Sequence, residues 1–334
     1  MKNKKLKKVL KIFTYTIIIL LIIISVCGIS YYNHWRNSNT VNTFTEFTEP
    51  ENVDYNEIYW KSDSLGNTIM EKTAFFVKIK IVGIEGYFYM QFDTGTPKTI
   101  FYGSTLTRVL KTKSAKKIEF TKDSTQIVKN IKIQIGKTTF FTNRIDVKPD
   151  FGSDILDTAF TVIGTIGFDA LVGRTLILDF KSDKIAFTKK PIKELGFSTI
   201  IVKDASVNRF PLLIPALMDK KKIRLFYDTG SSMFSLLTST KKLKEMKSES
   251  GIDTLCCVRN WKNLLPVYRR KTHSKIDFNG IKSENDYVYG ININMINFLN
   301  YMPESFIYGM TGNKLFSSKI IVVDNKNNEF GISE

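Results

Sequence analysis

Two short stretches of this 334-residue chain each place a carboxylate at the end of an apolar strand, directly before a tight turn. They are Leu225–Ser232, with Asp228-Thr229-Gly230-Ser231, and Met90–Thr96, with Asp93-Thr94-Gly95-Thr96. A given tripeptide arises by chance about once in several thousand positions, so one Asp-Thr-Gly is weak evidence. Two copies in equivalent contexts mark these turns as the first candidates for chemistry.

Paired aspartates can perform general acid–base catalysis. Two carboxylates held close together cannot both ionise readily, so one pKa rises and the pair shares a proton. The ionised member can take a proton from a water while the protonated member donates to a carbonyl oxygen. Glycine permits a tight turn, and short hydroxyl side chains can fix each carboxylate. An aspartate that merely starts a turn explains either motif alone, but it explains the matched pair poorly.

The elements around the two motifs also repeat. A strand, a turn and a second strand precede each aspartate, and an alternating strand that runs into glycine follows, at Ile131–Gly136 and Lys275–Gly280. Each half then has a glycine turn at Gly167 or Gly312 and an apolar strand that ends in Asp179 or Asp324. The last two aspartates precede polar turns, so we assign them a structural role.

Spacing supports the repeat. Twelve residues separate Gly167 from Asp179, and twelve separate Gly312 from Asp324. The interval from the first aspartate to the strand-end glycine is 43 residues in one half and 52 in the other. We expect the nine extra residues to form a loop insertion around Cys256, Cys257 and Trp261. The sequence therefore predicts two homologous all-β lobes joined near residue 200.

Two lobes, each with Asp-Thr-Gly-(Ser/Thr) and a later apolar-glycine turn, resemble the pepsin-like aspartic proteases and their single-lobe relatives, the retropepsins. The resemblance implies two β-barrel lobes with an active-site cleft between them, in which Asp93 and Asp228 form the catalytic dyad. It also implies that Gly95 and Gly230 allow close approach of backbone to carboxylate. By the same resemblance Thr94 and Thr229 hydrogen-bond across the lobe interface, and Thr96 and Ser231 bond the outer carboxylate oxygens.

The chain departs from the family's pattern in several respects, one of which is that Thr165 and Thr311 each fill one slot of the apolar pair in the later turn. The first-half apolar-glycine turn could be Val162-Ile163-Gly164 instead of Thr165-Ile166-Gly167, which would shift the alignment by three residues. The cleft-covering hairpin of pepsins carries a tyrosine, whereas the candidate hairpin here, around Lys122–Gln126, has none. These departures affect the expected substrate preference more than the expected activity.

The N-terminus has the features of a membrane anchor. Ile12–Ser30 is almost entirely apolar and long enough to span a bilayer, and Tyr31, Tyr32 and Trp35 follow at interface depth. The preceding lysines predict a cytoplasmic N-terminus, with everything downstream on the periplasmic or cell-surface side. A cleaved signal peptide and a lipoprotein site at Cys27 are rival interpretations, disfavoured by the long apolar core and by bulky Val26.

These features divide the chain into five parts. We predict a basic segment at 1–11, a transmembrane signal anchor at 12–32, a polar stalk at 33–64, and two protease lobes at 65–200 and 201–334. The stalk could also be a regulatory pro-segment. The predicted function is a membrane-anchored aspartic endopeptidase with a polypeptide substrate, no cofactor, no metal and a monomeric catalytic unit.

Composition excludes several other functions. The net charge of +17 raises nucleic acid as a partner, but six of these charges are lysines near the N-terminus and the rest are dispersed. No aromatic–basic interleaving or zinc-finger spacing occurs, so we predict no nucleic-acid binding. The two histidines, His34 and His273, disfavour a histidine-ligated metal site or a serine–histidine hydrolase.

Two alternative functions remain beside the peptidase. A catalytically silent relative could bind an extended peptide in the cleft by strand addition. A basic, membrane-tethered β-protein could instead bind an anionic polymer, and that binding would weaken in moderate salt. Retention of both carboxylates and all flanking hydroxyls favours the peptidase over the silent relative.

Overall fold

The chain is mostly β-structure, preceded by one long N-terminal helix. Its structure is a computed structural model that describes residues 2–65, 68–112, 120–121, 126–152, 159–246, 251–260 and 263–333. The prediction of a largely β protein with an N-terminal apolar helix is confirmed. The candidate hairpin tip at 122–125 and Trp261 lie outside the described residues.

The helices of the described residues are few and, apart from the first, short. They are α1 Lys2–Asn39, α2 Gly103–Thr112, α3 Thr240–Glu245 and α4 Asn294–Phe298. Short 3-10 turns lie at Phe168–Leu171, Ile192–Glu194, Thr229–Ser231, Leu299–Tyr301 and Asn313–Phe316.

The strands run through the whole of the remaining chain. In the first half they are β1 Glu46–Thr48, β2 Asn56–Leu65, β3 Thr68–Ile81, β4 Phe88–Phe92, β5 Ile100–Tyr102, β6 Phe120–Thr121, β7 Ile127–Ile135, β8 Thr138–Lys148, β9 Val162–Ile166, β10 Thr175–Asp179 and β11 Lys184–Thr188. In the second half they are β12 Ile200–Ile201, β13 Leu213–Met218, β14 Lys221–Tyr227, β15 Leu237–Ser239, β16 Ile252–Asn260, β17 Asn263–Lys271, β18 Lys275–Phe278, β19 Ile281–Glu284, β20 Tyr287–Ile291, β21 Gly309–Thr311, β22 Ile320–Asp324 and β23 Glu329–Ser333.

The same strand pairings occur twice. Strand β4 runs parallel to β9, which is antiparallel to β5, which is parallel to β8. Strand β14 likewise runs parallel to β21, which is antiparallel to β15, which is parallel to β20. In the first half β7 pairs with both β8 and β3, so six strands close into a ring. The sequence repeat therefore corresponds to a repeat of strand pairing.

The two halves share one sheet. Strand β10 pairs antiparallel with β22, with Ile177 opposite Val322 at the centre of the ladder. Strands β12, β22 and β23 thus lie in the same sheet as β10, β11 and β2. A domain boundary at residue 200 does not separate the sheets, because the last strands of the chain pair with the first half.

The predicted polar stalk is wrong over much of its length. Within 33–64, β1 pairs with β8, and β2 pairs with β3 and β11. Phe44 is only 2% exposed and packs edge-on against Phe140, and Ile58 is also buried. A few large apolar side chains hold this otherwise polar segment in the core, since burying each phenylalanine stabilises the fold by roughly 1.5–3 kcal/mol. Removal of these strands as a pro-segment would take paired strands and buried side chains out of the core.

Helix α1 extends beyond the predicted anchor. The helix continues to Asn39, seven residues past the predicted end at residue 32, without interruption. The helix is long and apolar enough to cross a membrane, and the side chains of its apolar run are exposed in the fold. Its last two turns contact the second half of the chain.

The predicted loop insertion is instead a long β-hairpin. Cys257 lies in β16, which pairs with β17 across a register shift between Leu255 and Val258. The side chain of Cys256 lies outside the described residues. The region around Cys257 thus belongs to two paired strands, because bulged antiparallel pairing satisfies the backbone that a loop would expose.

Candidate active site

Each Asp-Thr-Gly turn begins where a parallel strand pair ends. The backbone N–H of Asp93 donates to the carbonyl of Ile166 at 3.0 Å, just past the pairing of β4 with β9. The N–H of Asp228 donates to the carbonyl of Thr311 at 2.9 Å, just past the pairing of β14 with β21. The two aspartates therefore occupy equivalent positions in the repeated architecture.

The carboxylates of Asp93 and Asp228 face one another across the boundary between the two halves. A Cβ atom built on Gly95 would lie 2.5 Å from Cγ of Asp228, and one built on Gly230 would lie 2.6 Å from Cγ of Asp93. Each carboxylate thus lies over the glycine of the opposite turn, and any side chain there would displace it. Asp228 is 7% exposed and Asp93 is partly buried.

Short hydrogen bonds within each turn fix the carboxylate orientation. The N–H groups of Gly95 and Gly230 each donate to the Oδ1 of the preceding aspartate at 2.8 Å. The hydroxyl of Thr96 donates to Asp93 Oδ2 at 2.9 Å, and that of Ser231 donates to Asp228 Oδ2 at 2.8 Å. The hydrogen bonds expected for Thr96 and Ser231 are therefore present.

Two buried threonines connect the turns. The N–H of Thr94 donates to Thr229 Oγ1 at 2.9 Å, and the N–H of Thr229 donates to Thr94 Oγ1 at 3.0 Å. Because each hydroxyl also donates to a carbonyl of the opposite strand, the polar groups satisfy one another without water. This network sets the separation of the carboxylates.

The surroundings raise both carboxyl pKa values. Burial is the largest cause for each, because it disfavours the charged form. The pKa of Asp93 lies well above its ordinary value, since the Asp228 charge and hydrogen bond raise it further. The hydroxyls of Thr96 and Ser231 act in the opposite direction by stabilising the ionised forms. The pair therefore holds one shared proton more readily than two isolated carboxyls.

The later glycine turns pack directly behind the aspartate turns. A Cβ on Gly167 would lie 2.7 Å from the carbonyl oxygen of Thr96, and one on Gly312 would lie 2.5 Å from the carbonyl carbon of Ser231. Both glycines begin a 3-10 turn with extended backbone. The equivalence of Gly167 with Gly312 resolves the alternative alignment, since Gly164 lies inside β9.

A comparison with protein-family models and with curated proteins finds no match for this chain. The residue roles therefore depend on geometry and chemistry. Among the described residues, no group of three or more His, Cys, Asp and Glu side chains is placed to hold a metal ion. The described site consists of carboxylates, hydroxyls and backbone amides.

Two polar clusters that lie behind the turns were not predicted from the sequence. In the second half, Tyr227 Oη donates to Asn313 Oδ1 at 2.8 Å, and Asn313 Nδ2 donates to Ser232 Oγ at 2.7 Å. In the first half, Asp169 accepts from the N–H of Thr99 at 2.8 Å and from its hydroxyl at 2.7 Å. Burial raises the pKa of Asp169. The available signal was a polar residue within two positions of each turn glycine.

The strand faces beside the two aspartates differ in polarity. Residues two positions apart on a strand share a face, so Gln91 lies on the Asp93 side and Phe226 on the Asp228 side. Gln91 is opposite Thr165, whose hydroxyl is 2.6 Å from that of Tyr102, whereas Phe226 is opposite Met310. The repeat thus places a polar strand face next to one aspartate and a buried apolar face next to the other.

Proposed function

We propose that the chain is an aspartic endopeptidase that hydrolyses peptide bonds with Asp93 and Asp228. The observation that carries the proposal is the reciprocal placement of each carboxylate over the glycine of the other turn. Mutual proximity and burial allow the pair to share one proton, which is the state that acid–base hydrolysis needs. The proposed fold comprises two pepsin-like lobes, supported by the duplicated strand pairings and the continuous sheet beneath them.

The proposed reaction uses a water bound between the carboxylates as the nucleophile. In the free enzyme Asp93 and Asp228 share one proton, so one member of the pair is ionised and the other is protonated. The water oxygen bonds to the carbonyl carbon as its proton passes to the ionised carboxylate, and the protonated carboxyl donates its proton to the carbonyl oxygen. When the tetrahedral intermediate collapses, the C–N bond breaks and the amine nitrogen takes the proton held by the dyad, while a hydroxyl of the intermediate gives its proton to the other carboxylate as the product carboxyl group forms. The pair then returns to its singly protonated state.

Helix α1 would hold this enzyme at a membrane. Its apolar run supports anchoring, and the N-terminal lysines support a cytoplasmic N-terminus with the catalytic part outside. Both carboxylates come from one chain, so a single protomer supplies the complete site. The proposed substrate is a polypeptide, and the strand faces on the two sides of the dyad differ in polarity.

Peptide cleavage by carboxamide variants tests the proposal. Purified full-length protein is incubated with a peptide library across pH, with and without a peptide mimic of the tetrahedral intermediate. We expect the mimic to inhibit cleavage, and we expect Asp93→Asn and Asp228→Asn each to reduce kcat at least ~100-fold. Asp179→Asn is the matched control, since Asp179 accepts only turn hydrogen bonds and should leave kcat unchanged. Binding of peptides without cleavage, or full activity in either dyad variant, would refute the proposal.

A further inference from the structure

The end of helix α1 is docked on the second half of the chain through a buried arginine. Arg36 is only 9% exposed, and its guanidinium donates to the carbonyl oxygen of Phe210 at 3.0 Å and to Ser206 Oγ at 3.1 Å. It also donates to the carbonyl of Arg209 at 3.2 Å, and the hydroxyl of Thr40 accepts from the N–H of Phe210 at 2.9 Å. A guanidinium satisfied by fixed carbonyls resists rotation, since each lost bond leaves a buried polar group unpaired. The helix end is therefore a rigid attachment.

Aromatic contacts extend this attachment toward the candidate active site. The rings of Tyr32 and Phe306 are 5.2 Å apart, and those of Trp35 and Phe210 are 5.8 Å apart. Phe210 in turn lies 5.9 Å from Phe226, which shares a strand face with Asp228. Because two strand residues span about 7 Å, Asp228 lies within roughly 20 Å of Trp35.

This geometry limits the distance between the dyad and the bilayer. Trp35 follows the end of the apolar run at Ser30 by five residues, or about 7.5 Å of continuous helix. The dyad consequently lies within about 30 Å of the point where α1 leaves the hydrocarbon. An extended peptide covers that distance in about nine residues at 3.3–3.4 Å per residue.

The chain segment before Phe306 exposes two large aromatic side chains. Phe298 is 57% exposed and Tyr301 is 85% exposed, and both belong to the segment that leads to Phe306. Exposed aromatic side chains are enriched at the depth of the lipid headgroups. The two exposed rings are therefore suited to contact with lipid headgroups.

We infer that the substrates are polypeptides attached to the same membrane, cleaved within about ten residues of the bilayer surface. The inference rests on the proposed peptidase function and on anchoring through α1. When the cleft is fixed at one distance from the bilayer, membrane-attached segments reach it at high effective concentration. The concentration of a free peptide at the cleft is not raised by this arrangement. A rigid attachment also predicts an optimum spacer length. A spacer that is too short cannot reach the dyad, and a long spacer lowers the effective concentration of the cleavable segment at the dyad.

The test uses full-length protein in lipid vesicles. A peptide that the enzyme cleaves in solution is joined to a transmembrane helix through spacers of about 5, 10, 20 and 40 residues, chosen to bracket the estimated reach. We expect the fastest cleavage near the ten-residue spacer, at least ~10-fold above the free peptide at equal bulk concentration. A matched variant carries about 20 Gly/Ser residues between Ser30 and Tyr31, which leaves the docked contacts intact but frees the globular part from a fixed height.

The insertion variant should lose the optimum near ten residues and cleave the free peptide at the wild-type rate. Equal spacer profiles for the two proteins, or wild-type preference for the longest spacer, would overturn the inference while leaving the peptidase proposal intact. If the wild-type protein cleaved neither free nor attached peptides, the peptidase proposal would instead be refuted. Substrate attachment and dyad chemistry are thus judged by separate readouts.

Discussion

The hydroxyl of Thr94 donates to the carbonyl of Tyr227 at 3.0 Å, and the hydroxyl of Thr229 donates to the carbonyl of Phe92 at 3.0 Å. Each threonine thus binds the residue that precedes the aspartate of the opposite half. Both side chains are fully buried, so water cannot replace either bond. The relationship couples the position of one aspartate to the other and provides the first prediction.

Substitution of Thr94 by valine should lower both stability and activity. The change leaves the carbonyl of Tyr227 and the N–H of Thr229 without their partner, at a cost of about 1–3 kcal/mol for each buried group. Thermal unfolding and kcat measure the two effects. Thr73→Val is the control, because its hydroxyl donates to Lys61 at the surface, and we expect a change within about 0.5 kcal/mol. Equal effects of the two substitutions would contradict this role for Thr94.

Removal of one buried carboxylate should stabilise the fold at neutral pH. The folded state raises the pKa of Asp228, so it retains a proton that the unfolded state releases above about pH 4. The free energy of unfolding therefore falls as pH rises from there through the raised pKa. Asparagine cannot ionise, so Asp228→Asn should raise Tm by a few degrees at pH 7, and the gain should shrink near pH 3. A lower Tm at pH 7 would show that the carboxylate is not destabilising.

Loss of the Ser231 hydroxyl should shift the acidic limb of the pH–rate profile to higher pH. Ser231 stabilises the ionised form of Asp228, so Ser231→Ala should raise the pKa of that carboxyl further. The acidic limb of the profile for kcat/KM, which requires one ionised carboxyl, should shift to higher pH. The matched control is Ser182→Ala, whose hydroxyl donates to Asp179 outside the site. A shift to lower pH in the Ser231 variant would reverse the assignment.

The glycine behind the second aspartate turn should tolerate no side chain. A Cβ on Gly312 would lie 2.5 Å from the carbonyl carbon of Ser231 and 2.9 Å from Cα of Ser232, both in the backbone of the turn. Gly312→Ala should therefore displace Asp228 and lower kcat at least ~10-fold, the loss caused by about 1.4 kcal/mol of transition-state stabilisation. Gly251→Ala has open space around the new methyl group and should behave as wild type. Normal activity in the Gly312 variant would contradict the close packing.

The unlike strand faces beside the dyad should impose an unlike pair of substrate side chains. Half-buried Gln91 favours a hydrogen-bonding side chain on one side of the cleaved bond, and the equivalent residue of the other half, Phe226, favours an apolar environment on the other. Peptides with one polar and one apolar flanking residue, in one of the two orders, should have the highest kcat/KM. Gln91→Leu should shift the preference toward two apolar residues by about 10-fold, the effect of one lost polar contact. An unchanged preference would place the substrate elsewhere.

Much of the candidate site could be predicted from short sequence patterns. The two Asp-Thr-Gly turns, their flanking hydroxyls and the glycines behind them occupy equivalent positions because short segments encode strand ends and turns. The polar groups behind the turns were missed, since the sequence does not indicate that Tyr227 reaches Asn313 across 86 positions. Such partners depend on how separate strands stack.

The sequence by itself determined the duplicated β-architecture, the apolar helix and the pair of aspartate turns, because periodicity and turn chemistry act over a few residues. Only the tertiary structure decided where 33–64 belongs, since a polar segment is held in the core by a few side chains such as Phe44. It also decided that Arg36 docks against residues 206–211, across more than 160 positions of chain. These arrangements follow from the burial of apolar surface and the pairing of buried polar groups, which are properties of the assembled fold.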